Sequence, residues 1–216
     1  MTGTVFDQLA LARIIPVVEI TNVADAVQLA QTLAAGGLSV MEVTLRTPAA
    51  LESIRAIRAE VPEVIVGAGT LLTAAHVAQA TEAGAHFGVS PGFTPALSAA
   101  ASDLALPFVP GTVTASEMLT AAEYGHTHLK FFPAEQSGGA RALASFASPL
   151  AAHGIRFMPT GGIRPAGLGE YLSLANVFAV GGTWIAPRDA ITEGRFDLIL
   201  ASTTAAVTAA AAMRPC

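Results

Sequence analysis

The chain has 216 residues, a formal net charge of −5 and no basic run; it fits one α/β-barrel domain or two small ones, and its charge argues against nucleic acid or an anionic membrane as partner. With 52% hydrophobic residues, 20 Gly and 13 Pro, it reads as turn-rich and globular rather than disordered. No apolar run approaches the roughly 18 residues that a bilayer span needs. The mean hydropathy of +0.56 owes much to alanine, which suits helices packed closely on a sheet.

The N-terminal stretch MTGTVFDQLALAR lacks the basic and apolar regions of a signal peptide and is expected to form a short helix. The single cysteine, Cys216, cannot form an internal disulfide. Both point to the cytoplasm.

Beyond that stretch, short β-branched runs alternate with helical ones. Strands are expected at 13–20, 39–45, 64–70, 86–91, 107–111, 128–133, 156–161 and 177–182, with helices between them, among others at 23–35, 48–60, 73–83 and 115–124. Thr114 and Glu117 form a capping box ahead of apolar Met118, Leu119 and Ala122. An Ala-rich stretch, 197–213, is the closing helix. Eight strands, each followed by a helix, predict a (β/α)8 TIM barrel. VIVGAG and VFAVGG are apolar on both faces, as covered parallel strands should be. An open doubly wound sheet is the main competitor, but the G-x-G-x-x-G that usually follows its first strand does not occur. With no linker or second domain in view, residues 1–216 are expected to form a single domain.

Barrel chemistry sits at the C-terminal ends of the strands. Lys130 stands there, in HLKFF, and it is the only lysine in the chain. Burying an ammonium without compensation is costly, which favours the neutral amine that attacks carbonyl carbons to form Schiff bases. The alternative is a lysine whose stem is buried and whose head reaches water. In strand 39–45 and just beyond it, Glu42, Thr44 and Arg46 share one face, while Met41, Val43 and Leu45 share the other and would pack under helices. On the polar face Glu42 can shuttle protons and Arg46 can fork onto a carboxylate; a purely structural Glu–Arg pair is the other reading.

Phe132 shares the face of Lys130, as pocket wall or as plain core. His126 and His128 alternate as metal ligands do, but no third ligand lies nearby and they fall at the wrong end of the strand, so no metal is expected. Gly161-Gly162 and Gly181-Gly182-Thr183 follow the two strands that usually carry a barrel's phosphate site; tight turns would also account for them. Thr70 could offer a hydroxyl, Pro91 and Pro110-Gly111 could shape the mouth, and Glu19 is either a support for the site or a solvated rim charge.

These motifs resemble one family, the bacterial 2-keto-3-deoxy-6-phosphogluconate (KDPG) / 4-hydroxy-2-oxoglutarate (KHG) aldolases. The matching stretches are GGLSVMEVTLRTPAAL (36–51), VGAGTLLT (66–73), FGVSPGFTPAL (87–97), PFVPGTVTASEM (107–118), LKFFPAE (129–135), MPTGGI (158–163) and VGGTWIAP (180–187). The resemblance implies a cofactor-free, metal-independent class I aldolase on a (β/α)8 barrel. It implies a homotrimer that cleaves a keto acid phosphate to pyruvate and glyceraldehyde 3-phosphate in the Entner–Doudoroff pathway. It gives Lys130 as the Schiff-base residue and Glu42 as the acid/base acting through a water. Arg46 and Thr70 would contact the pyruvate carboxylate with Thr160 close by, Pro91 and Phe132 would line the pocket, and Gly161, Gly162 and Thr183 would bind phosphate.

The chain departs from the family pattern in two places: Thr183 replaces a serine, and Glu19 replaces an apolar residue. The same chemistry on 4-hydroxy-2-oxoglutarate or on 2-keto-3-deoxy-6-phosphogalactonate is the nearest alternative; a non-aldolase phosphate-binding barrel or an inactive scaffold is more distant.

Overall fold

The computed structural model describes residues 3–213; Cys216 and the first two residues of the N-terminal stretch lie outside the described residues. The expected short helix is α1 (Val5–Ala12), and a capping box starts it. The Thr4 side chain accepts from the Asp7 N–H, and the Asp7 carboxylate accepts from the Thr4 N–H at 2.8 Å, satisfying two donors that a helix start leaves free.

Among the described residues nine short strands follow: β1 (Ile14–Val18), β2 (Val40–Thr44), β3 (Ile65–Gly69), β4 (Phe87–Val89), β5 (Phe108–Val109), β6 (Gly111–Thr112), β7 (His128–Phe131), β8 (Arg156–Pro159) and β9 (Val180–Gly182). The longer helices between and after them are α2 (Ala24–Ala35), α3 (Ala50–Glu60), α4 (Ala74–Glu82), α5 (Pro95–Asp103), α6 (Ala115–Glu123), α7 (Gly139–Phe146), α8 (Leu168–Leu172), α9 (Arg188–Thr192) and α10 (Phe196–Ala212). The capping box at α6 is present, with Glu117 accepting from the Thr114 N–H at 2.8 Å. Met118 and Ala121 face inward, whereas Leu119 is exposed.

All strand pairs are parallel. Six strands make one sheet in the order β5-β4-β3-β2-β1-β9, and β6-β7-β8 make a second. The run expected as one strand over 107–111 is therefore split, and the reason is Pro110. It has no N–H to give to a ladder, but its carbonyl accepts from the Lys130 N–H at 2.8 Å, so the chain changes partner from β4 to β7 at that residue. The last strand also begins later than expected. Val177 makes an isolated bridge to Phe157, and Gly181 makes another to Thr160.

Strand residues alternate between two cores. Met41, Val43, Val66, Ala68, Leu129 and Phe131 pack outward against helix residues such as Leu33, Ile54, Val77 and Met118. Ile15, Val40, Phe87, Val89, Val109 and Met158 point the other way and join Leu9 of α1 in a smaller cluster. Helix α1 thus closes the N-terminal ends of the strands. By the two-residue period, Glu42 and Thr44 lie on the side of Val40, beyond this apolar floor. The sequence expectation for β2 holds on both faces.

Of the four partly buried histidines, three are held by close side-chain neighbours. His126 is hydrogen-bonded to the Ser98 hydroxyl at 2.7 Å, His128 stacks on Phe6 with ring centroids 4.4 Å apart, and His86 lies beside Arg58. Burial holds all three imidazoles below their ordinary value of 6.5, with Arg58 adding to the effect at His86 and Arg156 at His128. A folded-state value below the unfolded one means that the unfolded chain binds protons the native state refuses. Stability is lost as pH falls below 6.5 toward the lowered folded values. The melting temperature is expected to drop by a few degrees between pH 7 and pH 5, and His128→Phe, which keeps the stacking surface, should flatten that slope in a pH series of thermal melts.

Candidate active site

Lys130 on β7 and Glu42 on β2 are 88 positions apart in sequence, yet Lys130 Nζ lies 3.4 Å from Glu42 Oε1. Only 7% of the lysine side chain and 1% of the glutamate side chain are accessible. The buried lysine is therefore faced by a carboxylate carried on a strand of the other sheet. Burying such a pair yields little net stability, and removing one member leaves the other stranded. The second carboxylate oxygen, Glu42 Oε2, is buried and has no hydrogen-bond partner among the described residues. The Phe132 ring centroid lies 5.1 Å from Nζ, within cation–π reach.

Gly69 at the end of β3 makes room for Glu42. A Cβ there would fall 2.1 Å from Oε1, so any other residue must displace the carboxylate.

Beside Lys130 opens a cleft of about 60 Å³, lined by Arg46, Lys130, Phe132, Thr160, Gly161, Gly162 and Thr183, with Val17, Ile163, Gly181 and Gly182. Most of the sequence-predicted residues thus meet in one place. Glu42 sits behind Lys130. Thr70 and Pro91 do not line the cleft. Thr70 follows β3 with φ 62°, an outlier for a β-branched residue, and Pro91 presses its carbonyl on Gly111, where a Cβ would come within 2.2 Å.

Gly161 and Gly162 have φ of 103° and 77°, in the left-handed region where glycine is favoured. The turn they make is tied to the loop after β7: Ala134 N–H donates to Thr160 O at 2.8 Å and Glu135 N–H to Gly161 O at 3.1 Å.

Two features escaped the sequence reading. Glu135 packs behind Gly162 and accepts a hydrogen bond from the Tyr171 hydroxyl, which burial and this carboxylate together push well above the ordinary tyrosine range. It was visible only as the last residue of LKFFPAE. Arg188, at the start of α9, had no signal. It pairs with Glu19 at 2.6 Å, and Glu19 is 3.6 Å from Arg46. Glu19 is therefore neither a solvated rim charge nor in the Lys130 cleft; it bridges two arginines. With Thr44, Thr183 and Trp184, these three residues border a second cleft of about 280 Å³, which shares Val17, Arg46 and Thr183 with the first.

His126 and His128 are engaged with Ser98 and Phe6, at the opposite end of their strand from this cleft. Among the described residues, no group of three or more His, Cys, Asp or Glu side chains is placed to hold a metal ion. No described helix is long and apolar enough to cross a membrane.

A buried lysine facing a buried carboxylate, beside an arginine and a glycine turn, equips a parallel β/α protein for covalent chemistry on an anionic carbonyl compound. The family model described as "Aldolase: KDPG and KHG aldolase" matches residues 5–202. The chain is 47% identical over 191 residues to the KHG/KDPG aldolase of Escherichia coli K12, covering 88% of this chain and 89% of that one. To the 2-dehydro-3-deoxy-phosphogluconate aldolase of Dickeya dadantii it is 45% identical over 204 residues, covering 94% and 95%. Its fold superposes with a TM-score of 0.90 on the KDPG aldolase of Legionella pneumophila crystallised with pyruvate captured as a covalent carbinolamine intermediate, at 37% identity and covering 95% and 99% of the two chains. The chain belongs to the KDPG and KHG aldolase family.

Proposed function

We propose that this aldolase is a class I enzyme that cleaves 2-keto-3-deoxy-6-phosphogluconate to pyruvate and glyceraldehyde 3-phosphate. The observation that carries the reading is the contact of Lys130 Nζ with Glu42 Oε1 at 3.4 Å in a buried setting. Lys130 gives a proton to Glu42, attacks C2 of the keto acid as the free amine and, after water is lost, forms an iminium. A proton leaves the C4 hydroxyl, the C3–C4 bond breaks toward the iminium, the aldehyde departs, and the enamine takes a proton at C3. Hydrolysis then frees pyruvate and the lysine.

Glu42 moves these protons through a water. Its unpartnered Oε2 is the lone-pair site such a relay needs. Arg46 binds the keto acid carboxylate with Thr160 close by, Phe132 walls the pocket, and Gly161, Gly162 and Thr183 receive the phosphate. No cofactor or metal enters this scheme.

The setting that goes with this reading is a single domain over 1–216 folded as a closed (β/α)8 barrel, assembled as a homotrimer in the cytoplasm. Closure is supported by Pro110, which joins β5 to β6 within one extended run, and by the Phe157–Val177 and Thr160–Gly181 bridges, which link β8 to the chain around β9.

The test is pyruvate release from 2-keto-3-deoxy-6-phosphogluconate, its galactonate epimer and 4-hydroxy-2-oxoglutarate. The phosphogluconate compound should give the highest kcat/KM; release of pyruvate from none of the three would contradict the proposal. A second expectation concerns Gly69→Ala. The added methyl displaces the Glu42 carboxylate, and misplacing a catalytic group by about 1 Å can cost about 10²-fold. The variant should lose roughly that factor in kcat while still melting cooperatively; full activity would mean that the position of Glu42 is immaterial.

A further inference from the structure

The geometry points to Arg188 as a positioning residue for Arg46, an inference that rests on the reading of Arg46 as the group that binds the substrate carboxylate. Two guanidinium groups compete for one carboxylate. Glu19 Oε1 holds Arg188 Nη1 at 2.6 Å, while Oε2 is 3.6 Å from Arg46 Nη1. The first distance is a charge-assisted hydrogen bond and the second is longer than one. The Glu19 side chain is 21% accessible, against 52% for Arg46 and 62% for Arg188. The carboxylate is thus the least solvated of the three and most in need of a partner. No other carboxylate among the described residues pairs with either arginine.

The two cations come from different elements. Arg46 follows β2, and Arg188 opens α9 beyond Trp184. Arg188 satisfies Glu19 and leaves the fork of Arg46 open to the cleft that also contains Lys130. Without Arg188, Arg46 is the nearest cation to Glu19, and the carboxylate closes on the N–H groups that a substrate carboxylate would use. Arg188 therefore acts on substrate binding through Glu19 and Arg46 rather than by touching the substrate.

The experiment compares the wild type, Arg188→Ala, Glu19→Gln and the double variant by steady-state kinetics on 2-keto-3-deoxy-6-phosphogluconate, with thermal melts to confirm folding. Arg188→Ala should raise KM about threefold to fivefold, the size expected when a partly exposed ion pair changes, and leave kcat within about twofold. Arg188→Lys, which can still pair with Glu19, should restore most of the affinity. In the Glu19→Gln background, where no carboxylate is left to capture Arg46, Arg188→Ala should have no effect on KM. An equal KM rise in both backgrounds, no rise in either, or a loss confined to kcat would each overturn the inference. If Arg188→Ala does not fold, Arg188→Gln supplies the same comparison. A wild-type protein that releases no pyruvate refutes the aldolase reading instead, which separates the two failures.

Discussion

Lys130→Met is expected to abolish pyruvate release altogether, because the covalent route itself disappears, and to destabilise the fold. The side chain is buried against Glu42, and methionine fills similar space without offering a charge. Removing one member of a buried pair costs about 3–5 kcal/mol, which in a domain of this size lowers the melting temperature by about 10 °C. Adding Glu42→Gln to Lys130→Met takes away the stranded carboxylate and should recover part of that loss, while activity stays absent. Thermal melts of the two single variants and the double variant give the coupling directly. Additive losses would mean that the pair is not coupled in the folded protein, and residual turnover in Lys130→Met would exclude a Schiff-base mechanism on this lysine.

Glu42→Gln keeps the shape of the side chain and an oxygen that can still accept from Lys130, but it cannot carry a proton. General acid–base help is worth about 10²–10⁴-fold, so kcat should fall by that range with KM little changed. The same variant separates chemistry from binding. Exchange of the pyruvate methyl protons with deuterated solvent, which reports protonation of the enamine, should slow by a comparable factor, whereas the lysine should still form its adduct with pyruvate. Exchange at the wild-type rate would remove Glu42 from the proton path.

How much of this was legible in the sequence depends on whether the cause was local. The alternation in VMEVTLRT placed Met41 and Val43 outward and Glu42 on the opposite face because strand geometry has a fixed period. Thr114 and Glu117 announced the start of α6 because a capping box lies within a few residues of chain. The loneliness of Lys130 among the basic residues drew attention to the position its chemistry needs.

Long-range features left little trace. The split at Pro110 depends on which strand its carbonyl finds, and that partner is Lys130, 20 residues later. The Glu19–Arg188 pair joins positions 169 apart, and an arginine opening a short helix looks like any solvated residue. Glu135 behind Gly162 could not be anticipated for the same reason: its role depends on the packing of one loop on another. Thr70 and Pro91, assigned by resemblance to the pocket, stand at strand ends outside the cleft that Lys130 shares with Arg46, Phe132 and Thr160.

The most direct test of the central claim is to incubate the protein with pyruvate and sodium borohydride and then to take an intact mass and a peptide map. The account predicts a single reduced pyruvyl adduct per chain, located on Lys130 and absent from Lys130→Met. A folded protein that gains no mass, or one that gains it at a site other than Lys130, would contradict it.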